Sequence, residues 1–143
     1  MKLSLILIGC LLLLLLGCSP AVKLNDPVGV VKAEIEAVNR GQNEVASSYF
    51  SDEAQIITSF GQPKGKEKIR AFMFNLVRMK ERDNIIDLTA DGSNVTGKMT
   101  ITNTALRDNS MATYGKDTPM PVNLKAVVED AKIVSWEEGS AAK

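Results

Sequence analysis

The spacing of hydrophobic positions changes along this chain, and each change marks a new element. An almost unbroken apolar run, Leu3 to Leu16, comes first. It is shorter than the roughly 20 apolar residues that span a bilayer as a helix. From Val28 the period becomes helical, with Val31, Ile35 and Val38 following three or four apart. Asp26-Pro27 supplies an N-cap and a proline for the first helical position, and Gly41 closes the helix. A shorter second helix is predicted from Asn43, packing Val45 and Tyr49 inward and ending at Phe50-Ser51-Asp52. Ala54 to Ser59 has strand character, and Gly61 to Gly65 has turn chemistry. Ile69, Phe72, Met73, Leu76 and Val77 then form one stripe, predicting a third helix from about Lys66 to Lys80.

The period then shortens to two. Asn84 to Ala90 reads as a strand and Asp91-Gly92-Ser93 as a hairpin turn. From Asn94 to Ala105, Val95, Met99 and Ile101 share one face while threonines line the other, as in an antiparallel strand with one wet side. Arg107 to Thr118 reads as a long loop. Val122 to Val128 and Lys132 to Trp136 form a last hairpin, and residues 138–143 a polar tail. Helices first and four or five antiparallel strands afterwards predict an α+β domain with its helices on one sheet face.

The N-terminus carries its own chemistry. Met1-Lys2 followed by the apolar run is the pattern of a secretory signal peptide. Leu15-Leu16-Gly17-Cys18 resembles the lipobox of bacterial lipoproteins, in which the signal is cut before the cysteine and the thiol is acylated. Leu7-Ile8-Gly9-Cys10 also matches, but leaves too short an apolar core. The expectation is a signal over 1–17, a lipidated tether over 18–26 and attachment to a membrane of the cell envelope, outside the cytoplasm, through lipid on Cys18. The alternative is an uncleaved anchor with an incidental cysteine.

Composition narrows the chemistry further. With 17 basic and 17 acidic residues there is no excess of positive charge, which argues against nucleic acid as a partner. The two cysteines, Cys10 and Cys18, both precede the domain, and the chain has no histidine. The commonest general base and the usual zinc ligands are thus missing, so no metal or other cofactor is expected.

Ala37-Val38-Asn39-Arg40-Gly41, Tyr49 to Ala54, Gly65 to Phe72 and Lys132 to Trp136 follow in the order typical of nuclear transport factor 2-like domains. The chain resembles the SnoaL-like branch of that family over about Pro27 to Glu137. The resemblance implies a cone, in which a bent antiparallel sheet wraps the N-terminal helices and encloses a pocket. It also implies relatives that are ketosteroid isomerases, polyketide cyclases and epoxide hydrolases. Carried across, the isomerase tyrosine falls at Glu34, the basic aspartate near Thr58, and the second acid near Asn123 or Leu124. A threonine cannot abstract a proton unaided, and the cyclases' histidine is missing, so neither chemistry is expected.

Polar residues that interrupt apolar faces are the pocket candidates: Glu34, Thr58 and Asn103. The bland reading makes Glu34 solvated and the other two strand ends near water. Lys64, Lys66 and Lys68 open the third helix as an anion site or as an exposed turn. Phe74, opposite the apolar stripe, offers a contact for a homodimer or is a lone surface aromatic. The expected function is a tethered domain that binds a small apolar or amphipathic molecule without catalysis. The alternatives are a hydrolase or isomerase using Glu34, and a protein-interaction domain whose cavity is filled by its own side chains.

Overall fold

The computed structural model describes residues 26–103 and 118–141. Its first helix, α1 (Pro27–Asn39), starts where the sequence places it, with Asp26 Oδ1 accepting from the Gly29 N–H at 2.8 Å. It ends in a pair of reversed bonds, Gly41 N–H to the Val38 carbonyl and Gln42 N–H to that of Ala37. This closure needs a left-handed residue, and Gly41 sits at φ 74°. Val30, Val31, Ile35 and Val38 are buried as the helical stripe requires.

α2 (Asn43–Ser48) is shorter than expected. Ala46 takes the inward position and Val45 stays 42% exposed, which corrects the inward placement of Val45. Phe50 is not the helix end but the start of β1 (Phe50–Ile57). There its ring meets Trp136 with centroids 6.1 Å apart, and Phe50 pairs with Ile133. That burial outweighs helical continuation. α3 (Lys66–Arg78) buries Ile69, Met73 and Leu76, while Phe74 is 55% exposed.

The remaining strands are β2 (Glu81–Asp91), β3 (Asn94–Asn103), β4 (Met120–Glu129) and β5 (Lys132–Ser140). They form one curved sheet in the order β1-β5-β4-β3-β2, antiparallel except for the β1–β5 pair. A parallel pair is possible because β1 and β5 are not joined by a hairpin: α3 and three strands lie between them in the chain. Residues 138–140 are therefore strand, not tail: Leu124 pairs with Glu138 and Val122 with Ser140.

β2 carries a bulge between Ile85 and Asp87, which leaves Ile86 59% exposed. Across from it, Asp87 Oδ1 accepts from the Lys98 N–H at 2.9 Å. The strands approach so closely that a Cβ on Gly97 would lie 2.1 Å from the Asp87 carbonyl oxygen. Bulge and glycine together let the sheet bend around α1. Cys18 and most of the loop expected from Arg107 to Thr118 lie outside the described residues. Among the described residues no helix is long and apolar enough to cross a membrane.

Candidate functional site

The inner sheet face is apolar over most of its area: Val95, Met99, Ile101, Val122, Leu124, Ala126 and Trp136 are all buried. Four carboxyl groups interrupt it. Glu34 enters from α1, in the same stripe as Val31 and Ile35, and is 2% exposed. Glu81 and Asp83 open β2, paired with Asn103 and Ile101, so they alternate onto the inner face with Ile85. Glu81 is 3% exposed. Glu138 comes from β5, two residues beyond Trp136 on the same face, and its Oε1 accepts from the Trp136 indole N–H at 2.7 Å.

Asn39 fixes α1 against this group. Its Nδ2 donates to the Asp83 carbonyl at 2.8 Å, and its Oδ1 accepts from the Asp83 N–H at 2.8 Å. A side-chain amide thus takes the place of a neighbouring strand along the free edge of β2. Two oxygens of the cluster, Glu81 Oε2 and Asp83 Oδ1, are buried without a hydrogen-bond partner. Leaving such groups unpaired costs of order 1–3 kcal/mol each, so their retention asks for an explanation beyond packing.

Burial sets the protonation of all four. It pushes Glu34 well above the usual carboxylate range, and the charges of Asp83 and Glu138 add to the effect. Burial raises Glu81 to about 9, reinforced by Asp83, Glu138 and Glu34. Asp83 rises to about 7 through burial and the Glu138 charge, with Arg82 pulling the other way. Glu138 also rises to about 7 through burial, opposed by the bond from Trp136. At neutral pH, Glu81 is therefore a neutral acid and Asp83 and Glu138 are poised between forms, while Glu34 holds its proton beyond the usual carboxylate range. Among the described residues no group of three or more carboxylates or thiols is arranged to hold a metal ion.

Of the three pocket residues predicted from sequence, Glu34 joins this cluster. Thr58 does not: its hydroxyl donates to the Gly61 carbonyl at 3.2 Å and accepts from the Phe60 N–H at 3.0 Å, closing the turn after β1. Asn103 lies opposite Glu81 on the ladder, and its side chain lies outside what the structure describes. Glu81, Asp83 and Glu138 were not foreseen. The alternation Glu81-Asp83-Ile85, in phase with the following strand, was the available signal. Of the lysines opening α3, Lys66 borders a separate surface cleft of about 650 Å³ between α2, β1 and α3. There Lys66 pairs with Asp52 at 3.2 Å, Arg70 with Glu44 at 2.8 Å, and Lys132 donates to the Ser48 carbonyl.

No protein-family model matches the sequence, and no curated protein does. Solved structures do resemble it. An NTF2-like protein of unknown function from Cytophaga hutchinsonii superposes with a TM-score of 0.65 at 14% identity, over 83% of this chain and 92% of that one. The fold is the nuclear transport factor 2-like cone. An uncharacterised cystatin-fold protein from Novosphingobium aromaticivorans shares the cone with a TM-score of 0.67 at 22% identity, over 79% of this chain and 97% of that one. An LEH-like epoxide hydrolase from M. tuberculosis shares it with a TM-score of 0.61 at 18% identity, over 79% and 80%. Identities this low carry the cone alone and not its contents.

Proposed function

We propose that this protein is a lipid-anchored protein of the cell envelope whose cone binds a small apolar or amphipathic molecule against the inner sheet face. The observation that carries the binding reading is the pair of buried, unpartnered oxygens, Glu81 Oε2 and Asp83 Oδ1, set in an apolar wall. Sites that take small molecules combine such walls with a few polar groups that fix orientation. The lipobox-like Leu15-Leu16-Gly17-Cys18 supports the anchor, since acyl chains on Cys18 would hold the domain at the membrane surface.

Two experiments test the two parts. Cells fed labelled palmitate should label the wild-type chain but not the Cys18→Ala variant; continued labelling of the variant refutes the anchor. Trp136 is the chain's one tryptophan and touches the cluster. Its emission should change saturably when the full-length protein, in a non-ionic detergent, is titrated with cyclohexanol. A response that merely follows solvent composition, without saturation, argues against a binding cone.

The raised carboxyls favour a second reading, a small-molecule hydrolase or isomerase. A cluster that holds Glu81 near 9 and Asp83 near 7 contains a proton donor and a proton acceptor side by side. In that reading Glu34, whose burial holds its proton beyond the usual carboxylate range, gives a proton rather than taking one. Full turnover of an identified substrate by Glu34→Gln would remove it from the chemistry.

A further inference from the structure

We infer that the ligand of the inner face is an organic amine: an ammonium group on an apolar body, seated with its charge among Glu34, Glu81, Asp83 and Glu138. This rests on the binding reading above and adds the chemical class. Three observations carry it. The four carboxyls come from three separate elements, α1, β2 and β5, and lie near enough to feel one another's charge, so the concentration of acid is a property of the folded site and not of one acidic stretch. Glu81 is buried, yet its Oε2 accepts no hydrogen bond, and Asp83 Oδ1 beside it accepts none. Their neighbours on the sheet are apolar and buried: Ile101 lies opposite Asp83 and Leu124 opposite Glu138, with Met99 and Trp136 next along β3 and β5.

An ammonium group answers both deficits at once. It brings up to three N–H donors for oxygens that lack them, and a positive charge felt by every carboxyl in the cluster. The groups facing Asp83 are Glu34 from α1, Glu81 and Arg82 from β2, and Glu138 from β5. Of these, Arg82 alone is positive, and its guanidinium donates to the Glu81 backbone carbonyl. A metal ion is the other cation that acid clusters attract, but it needs several oxygens converging on one point, and among the described residues no such group exists. A neutral alcohol or ketone would find hydrogen bonds here but would leave the mutual repulsion of the carboxylates in place. A carboxylic acid would add to it.

The amine must compete with protons, so its binding strengthens as the cluster ionises. The test uses the full-length protein in a non-ionic detergent and three probes of one shape: cyclohexylamine, cyclohexanol and cyclohexanecarboxylate, each followed through Trp136 emission. Cyclohexylamine should saturate the site and tighten about tenfold between pH 6 and pH 8, as expected for displacing one proton from a carboxyl that titrates near 7. At pH 8 it should bind at least tenfold more tightly than cyclohexanol. Asp83→Asn, which keeps the shape and removes a charge present at pH 8, should weaken the amine about tenfold and leave cyclohexanol within about twofold. Glu138→Gln serves as a second variant, with circular dichroism confirming that both fold. If cyclohexanol or the carboxylate binds as tightly as the amine, or the amine shows no pH dependence, the amine class is wrong while the binding reading stands. If none of the three saturates, both fall.

Discussion

Asn39 holds Asp83 by both of its backbone groups, donating to the carbonyl and accepting from the N–H, each at 2.8 Å. One side chain therefore ties the last turn of α1 to the free edge of β2, and sets Glu34 and Asp83 in one cluster. Asn39→Ala should remove both bonds and leave the edge unpaired. A loss of about 1–3 kcal/mol in urea unfolding is expected. A loss below about 0.5 kcal/mol would mean that water replaces the amide without cost.

The carboxyl cluster gives the domain an unusual dependence on pH. Each of the four groups binds its proton more tightly in the folded chain than in the unfolded one, where carboxyls titrate near about 4. The folded chain therefore carries more protons than the unfolded chain as the pH rises from about 4, and stability falls across that range. The loss should run through about 7, where Asp83 and Glu138 ionise, and on to about 9 with Glu81. Thermal melts should show a midpoint higher at pH 5 than at pH 9, by more than about 5 °C. Asp83→Asn should flatten the curve.

Trp136 offers a local view of the same titration. Its indole N–H donates to Glu138 Oε1 at 2.7 Å, so its emission should follow the Glu138 carboxyl with a midpoint near 7. Glu138→Gln should abolish the transition. A midpoint near 4 in the wild type would place Glu138 in water.

Gly97 tests the bending of the sheet. A Cβ there would sit 2.1 Å from the Asp87 carbonyl oxygen and 2.6 Å from Leu88 Cδ2. Relief requires the β2 bulge to move, so Gly97→Ala should cost about 2 kcal/mol or more in urea unfolding. A neutral outcome would show that the two strands separate freely at this point.

The helices were legible because their signals are local. Asp26, Pro27 and Gly41 bound α1, and the stripe from Ile69 to Leu76 identifies α3 without help from the rest of the chain. The middle of the sheet was legible for the same reason, through the alternation of Val95, Met99 and Ile101. The strand ends were not. Phe50 joins β1 because Trp136, far along the chain, meets its ring, and Glu138 is strand because Leu124 lies opposite it. Acidic residues at strand ends read as solvated turns and tails until the fold places them. That is why Glu34, embedded in a helical stripe, was visible as a site residue while Glu81, Asp83 and Glu138 were not. Thr58 interrupts an apolar face as Glu34 does, but its hydroxyl is spent on its own turn.

The central claim is that Glu34, Glu81, Asp83 and Glu138 form one group whose carboxyls all hold their protons above the usual range. Side-chain carboxyl ¹³C shifts, followed by NMR through a pH titration of the full-length protein, test this directly. The account predicts Asp83 and Glu138 titrating near 7, Glu81 near 9 and Glu34 still protonated well above the usual range. Four independent midpoints between about 3.5 and 4.5, the range of solvated carboxyls, would contradict it.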